Sequence, residues 1–305
     1  VSSKSSIWVD KYRPRHISDV IFQDDRQREL FEGFVKDGDI PNLLLSGIQG
    51  TGKTTISRAL IVDLKVNYAD RLRISCSDEK IDAIRNKASD FAFTMPLGKF
   101  KVVQLEEFDY LSLDAQALLR SLIEDTQSSC RWIATCNYEN KIIPPVKSRF
   151  QQFHFKAPDK ERVALLMADI LDKEEVEYDA EDLLTYIDVG YPDIRQTIQL
   201  LQGNSLNGKL LNPKQATKDV SDWKFGLLDA VSAGDFRAAR KLVCDGAARE
   251  EHEDVYRFLY DNIDKLKVKD KEAAVLTIAE FLYKHTIVSD TEINLAAMFI
   301  QLGRA

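Results

Sequence analysis

The chain has 305 residues, 44% of them hydrophobic and 30% charged, with a formal net charge of −7. That is enough to bury a sizeable core in about two domains, and the acidic balance excludes a uniformly basic nucleic-acid coat while leaving room for a local basic stripe. No apolar run reaches the roughly 18 residues of a membrane span, no signal peptide opens the chain and the four cysteines form no CxxC pair, so the expectation is a cytosolic chain without membrane span, disulfide scaffold or zinc site.

The opening WVDKYRPRHISDVIFQDD is polar and extended, punctuated by Pro14. Residues 25 to 36 set Leu30, Phe31 and Phe34 or Val35 at helical spacing, and Pro41 and Asn42 end the helix this predicts. LLLS follows as a short buried strand, and helical pattern resumes from Lys53 to about Leu64. RLRISCS reads as the next strand and residues 79 to 93 as a helix; KVVQL is a strand, 112 to 125 a helix and RWIATCN a strand. Short apolar strands alternating with helices predict a parallel, doubly wound α/β sheet covered on both faces. Beyond about residue 155 the pattern predicts no further strand: PDKERVALLMADILDKEE opens like a capped helix, and helices continue to about 203. QGNSLNGKLLNP reads as a linker, and from 221 onward the pattern is helical. The predicted layout is an α/β nucleotide-binding domain at 1–155, a small helical domain at 156–208 and a helical C-terminal domain at 209–305.

GIQGTGKT, Gly47 to Thr54, fits GxxxxGK[ST] between a predicted strand and a predicted helix. Gly47, Gly50 and Gly52 let backbone N–H groups wrap phosphates, and the helix N-terminus adds partial positive charge. Lys53 is expected to reach the β/γ-phosphates of a nucleotide, which the resemblance described below implies to be ATP or ADP, and the Thr54 hydroxyl to ligate Mg²⁺. About fifty residues on, the apolar KVVQL runs into Glu106 and Glu107, acids that would emerge at the same sheet edge. Glu106 is then expected to hold the metal, mostly through water, and Glu107 to orient the attacking water. A solvated strand end is the plainer alternative.

Taken together and in order, WVDKYRP, GIQGTGKTT, SDEKIDAIRNKASDFA, LEEFD, ATCN, KSRF and YPDIRQTIQLLQ resemble the ATPase subunits of sliding-clamp loaders, relatives of replication factor C small subunits in the AAA+ superfamily. EEFDYLSLDAQALLRS and TEINLAAMFIQL are most similar to the version found in large tailed bacteriophages, which implies the cytoplasm of an infected cell. The resemblance implies an AAA+ domain, a small helical lid and a helical collar that drives oligomerisation. It implies an ATPase that opens a ring-shaped clamp and places it on primer–template DNA, in a ring with other copies of itself and a second subunit, away from any membrane.

Residue by residue, the resemblance casts Glu107 as the water-activating glutamate and Asn137 as the γ-phosphate sensor. Arg149 becomes an arginine finger acting in trans, and Arg195 the arginine laid over the nucleotide from the lid. Tyr12, Arg13 and Pro14 would line the adenine pocket, with Thr51 and Thr55 completing the phosphate loop. In SDEKIDAIRNKASDFA it favours backbone DNA contact by Lys80, Arg85 and Lys87, whereas the residues alone more readily describe a charged helix face, since Asp78, Glu79, Asp82 and Asp90 interleave. Such contacts carry no sequence specificity. YLSL, 110 to 113, either touches the clamp or packs under the next helix.

Three departures from the family pattern stand out: Glu106 replaces the usual aspartate, Gln49 a common proline, and Phe150 the cysteine of the family's Ser-Arg-Cys motif. Glu106 keeps a second reading open, a non-hydrolysing AAA+ scaffold that binds nucleotide to stabilise an assembly. A threading unfoldase or helicase ranks last, because no aromatic pore loop is identifiable.

Overall fold

The computed structural model describes residues 7–78, 81–213, 223–247 and 252–303. Five parallel strands, β1 (Leu43–Gly47), β2 (Arg71–Ser75), β3 (Lys101–Glu106), β4 (Cys130–Cys136) and β5 (Gln151–Phe155), form one sheet in the order β2-β3-β4-β1-β5. Helices α1 (Trp8–Lys11), α2 (Asp25–Asp37), α3 (Lys53–Asp63), α4 (Ile81–Ala92), α5 (Leu113–Asp125) and α6 (Pro144–Lys147) connect and flank these strands.

The inner strands β1, β3 and β4 are buried on both sides because helices cover both faces of the sheet. Leu44, Val103, Leu105, Trp132 and Ala134 point into one core with Leu119, Leu122 and Ile123 of α5. Leu43, Leu45, Val102, Ile133 and Phe153 alternate into the other, with Phe31 of α2 and Ile56 and Leu60 of α3. Local signals set the helix ends. The Asp24 carboxylate accepts from Gln27 N at 2.7 Å to start α2, and Gly38, at φ 61°, ends it. Ser112 caps α5 by accepting from Ala115 N at 3.3 Å. Fully buried Gln116 of α5 donates to the Leu111 and Lys141 carbonyls and accepts from Ile143 N, tying the segment before α6 to the core.

Two elements differ from the sequence expectation. QQFHF forms β5, an edge strand whose residues 151, 152 and 154 face solvent, so it lacks the apolar runs of β1, β3 and β4. The predicted linker holds an antiparallel hairpin, β6 (Ser205–Leu206) and β7 (Lys209–Leu210), turned by Asn207-Gly208 at φ 53° and 74°. Asn-Gly between short strands is a two-residue hairpin signal, and strands therefore do not end at 155.

The chain divides into two compact units, 1–170 with 190–199, and 171–189 with 200–305. Helix α7 (Lys160–Lys173) follows the sheet, and α8 (Ala180–Gly190) and α9 (Ile194–Gly203) succeed it. In the second unit α10 (Lys224–Ser232), α11 (Phe236–Gly246), α12 (His252–Asp261), α13 (Lys271–His285) and α14 (Thr291–Leu302) enclose a core that includes Leu227, Val243, Tyr256, Ile278, Met298 and Phe299. Among the described residues, no helix is long and apolar enough to cross a membrane.

Candidate functional site

Parallel register brings the ends of β1, β3 and β4 to one edge of the sheet: Ser46 pairs with Cys136, and Leu105 with Ala134. The loop from Gly47 to Gly52 leaves β1 there and enters α3. Gly47 (φ 142°) passes so close to β5 that a Cβ would stand 2.0 Å from the Phe155 carbonyl oxygen, so no side chain fits. Gly50 (φ 76°) meets the Asp193 carboxyl carbon at 2.1 Å from its ideal Cβ position. Asp193 in turn caps α9, accepting from the Arg195 and Gln196 backbone N–H groups at 2.8 and 3.1 Å.

A cavity of about 280 Å³ opens at this edge, lined by Tyr12, Arg13 and Pro14, by Gln49 to Thr55, by Glu107, Tyr110, Thr135 and Asn137, and by Ile194, Arg195 and Ile198. All these residues belong to the first unit. The phosphate loop from Gly50, Tyr12 to Pro14, Glu107, Asn137 and Arg195 thus share one wall system, while Gly47 ends β1 outside the lining. Lys53 Nζ donates to the Gly47 and Ile48 carbonyls at 2.8 and 2.7 Å, and burial pushes its amine down to about 8. Glu107 sits in the left-handed region (φ 56°, ψ 46°), a strained conformation for a non-glycine residue, with its side chain exposed at the cavity.

Asp109 is a site residue that sequence reading left without a role. It is 5% exposed, and its Oδ2 accepts from the backbone N–H groups of Asn137 (3.3 Å) and Tyr138 (3.0 Å). It therefore fixes the loop that carries Asn137. The available signal was its position two residues after Glu107, on the same sheet edge. Phe150 is buried with its ring centroid 6.5 Å from that of Phe108, so it packs beneath the turn that carries Glu107.

A divalent metal finds one fitting donor in the Thr54 hydroxyl at the start of α3, on the cavity wall. Glu106 lies outside that lining, and its two oxygens are engaged elsewhere: Oε1 accepts from Arg58 at 3.3 Å and Oε2 from Arg73 at 2.5 Å. Neither arginine was singled out from sequence.

Arg149 also lies outside the cavity. Its Nη2 pairs with Glu124 Oε2 at 2.6 Å, and the guanidinium holds that carboxyl below the usual glutamate range. Arg85 and Lys87 are exposed on α4, whereas Lys80 lies outside the described residues. YLSL divides: Leu111 is buried and Ser112 caps α5, while Tyr110 and Leu113 are each 65% exposed. Other apolar side chains of the first unit are also well exposed, among them Tyr68 (87%), Met95 (86%), Leu97 (74%) and Phe93 (62%). Buried Asp70, which ends the turn that carries Tyr68, holds the loop after Met95, accepting from Leu97 N at 3.0 Å and Gly98 N at 2.7 Å, and Lys101 Nζ donates to the Phe91 carbonyl at 2.9 Å.

A strand, a glycine-rich phosphate loop, a helix start and a second strand that runs into Glu107 define a P-loop ATPase, and the strand order with its helical appendage is that of the AAA class. The family profile described as ATPase family associated with various cellular activities matches residues 43–157. The replication factor C small subunit of Archaeoglobus fulgidus is 35% identical over 97% of this chain and 97% of its own length. That of Sulfurisphaera tokodaii is 43% identical over 67% of this chain and 64% of its own length, and that of Methanococcus vannielii 32% identical over 97% and 98%. The chain belongs to the replication factor C small-subunit family, ATPases of the clamp loader. A point variant of RuvB from Thermotoga maritima superimposes with a TM-score of 0.60 over 83% of this chain and 91% of its own, at 16% identity, which speaks to the fold alone.

Proposed function

We propose that ATP binding lets this subunit, in a ring with other copies of itself and a second subunit, open a sliding clamp and grip primer–template DNA, and that hydrolysis releases the closed clamp. The observation that carries this is the convergence of the phosphate loop, Glu107 and Asn137 on one cavity while Arg149 sits outside it. A finger placed outside the lining of its own site fits a site completed by a neighbouring subunit. Lys53 and the loop N–H groups would bind the phosphates, Glu107 would hold the attacking water, and Asn137 would report the terminal phosphate. Mg²⁺, when bound, would neutralise charge on the phosphates and would be held by Thr54. Arg195 would close over the nucleotide from α9, and Tyr12, Arg13 and Pro14 would line the base.

Arg85 and Lys87 supply cations on an exposed helix for phosphate contact, with Lys80 alongside in sequence. Several subunits would have to act together, since each offers few such contacts. Tyr68, Met95 and Leu97 suit a docked clamp better than Tyr110 and Leu113: each is more exposed, and buried Asp70 ties the turn of Tyr68 to the loop of Met95 and Leu97. In the second unit, exposed Leu276, Tyr283, Ile287 and Ile293 suit a collar between subunits. The layout of α/β domain, lid and collar at 1–155, 156–208 and 209–305 is part of this reading. So is a tailed-phage origin within an infected cell, which rests on EEFDYLSLDAQALLRS; the relatives reported above are archaeal.

The test is steady-state ATPase of the chain assembled with its partner subunit, with and without clamp and primer–template DNA. Stimulation that needs both supports the loader. Nucleotide binding without turnover under every condition would select the scaffold instead.

A further inference from the structure

Glu106 stands where the resemblance expects a metal-directed carboxylate, yet its side chain keeps only 10% of its surface and spends both oxygens on guanidinium groups. Arg58 reaches it from α3 and Arg73 from β2, while the Glu106 backbone carbonyl accepts from Cys76 N at 2.9 Å. A carboxylate so enclosed needs compensation, and here two cations supply it. Direct coordination of a metal held at Thr54 would have to compete with both guanidinium groups for this carboxylate and would set a divalent cation beside two positive charges. Glu106 is also absent from the cavity wall that holds Thr54 and Glu107.

We infer that Glu106 is the counter-ion of Arg58 and Arg73, a positioning residue that ties β3 to β2 and α3, and that its carboxylate does not serve the metal. This rests on the phosphate-loop reading above. The triad explains the glutamate itself: an aspartate would withdraw the carboxylate by about one carbon–carbon bond, ~1.5 Å, and could not hold both arginines. It also gives the carboxylate a job for the site. Helix α3 carries Lys53 and Thr54 on its first turn and Arg58 on its second, so the Arg58–Glu106 pair sets the phosphate loop against the strand end that presents Glu107.

Two measurements on the full chain test this. The first is thermal melting of Glu106→Gln, of the double variant Arg58→Met with Arg73→Met, and of all three changes together. Breaking either side should lower Tm by several degrees, because a charge is left without its partner, and the triple variant should regain much of that loss. Additive losses in the triple variant would overturn the ion-pair role. Because the arginines are 32% and 55% exposed, the double variant stays informative even if Glu106→Gln folds poorly.

The second is the affinity for a fluorescent ATP analogue with and without Mg²⁺, whose ratio reports metal coupling. Thr54→Val should collapse that ratio, and Glu106→Gln should keep it within about twofold of the parent. A loss of about tenfold in Glu106→Gln would return the carboxylate to the metal. If the unaltered chain binds no nucleotide in either condition, the phosphate-loop reading falls, and with it the metal half of this inference. The melting cycle still decides the ion-pair half.

Discussion

Replacing Asp109 with alanine separates a positioning role from simple stability. Its Oδ2 accepts two backbone N–H groups, at 3.0 Å from Tyr138 and 3.3 Å from Asn137. Hydrogen bonds to an ionised group contribute about 1.5–3 kcal/mol each, and these lengths put the pair near the lower end, about 3 kcal/mol in all. Part of that is returned on removal, because Oδ1 is buried without a partner and its desolvation cost disappears. The net loss is then about 2 kcal/mol, or roughly 4–8 °C in the melting of a unit this size. Function should fall further than stability. Without its anchor the Asn137 loop shifts relative to the phosphate loop, and misplacement on the ångström scale costs turnover roughly 10- to 10²-fold. Nucleotide affinity, set by Lys53 and the loop amides, should stay within about threefold. The assays are thermal melting, equilibrium binding of a fluorescent ATP analogue and steady-state ATPase of the assembled complex. Asp109→Asn, which keeps one acceptor oxygen, should fall between parent and alanine variant in both Tm and turnover. A lowered Tm with unchanged turnover would refute the positioning role; an unchanged Tm would refute the hydrogen-bond ledger itself.

Arg149→Ala should leave nucleotide binding nearly intact and slow the assembled ATPase by about 10³-fold or more, the scale of an arginine finger. Equal turnover in the variant complex would remove that role and leave Arg149 as the surface partner of Glu124. Arg85→Glu should weaken DNA binding alike for all sequences and flatten its salt dependence, and a sequence-selective loss would contradict backbone contact. His16 is held above its ordinary range by a hydrogen bond to Asp63 and by that residue's charge. Its stabilising contribution is therefore fully present below pH about 6.5 and fades as pH rises through the raised folded value. His16→Gln should accordingly lower Tm more at pH 5.5 than at pH 8.5, and an equal loss at both would show that the charged form is not what stabilises.

Much of the architecture was legible along the chain because its causes are local. Apolar runs bounded by turn residues marked β1, β3 and β4, alternation in RLRIS marked β2, and Gly47 to Thr54 declared a phosphate loop wherever the rest of the chain went. β5 escaped for an equally local reason: residues at a sheet edge alternate with solvent, so QQFHF carries no run of apolar residues. The Asn207-Gly208 turn was available as a hairpin signal and was outweighed by the polar composition around it.

By itself the sequence determined which chemistry the chain carries: a lysine and hydroxyl on a glycine loop, and acids at the end of an apolar strand. Only the tertiary structure decided how those acids divide. Glu106, Glu107 and Asp109 are near neighbours in sequence, yet one faces two arginines, one faces the cavity and one holds a loop. Charge and spacing are the same kind of fact for all three. What separates them is which partner each carboxylate meets, and those partners arrive from residues 48 and 33 positions away in the case of Glu106 and from 29 positions away in the case of Asp109. A buried carboxylate takes its role from the cation or N–H group that compensates it, and such partners become neighbours only when the sheet assembles.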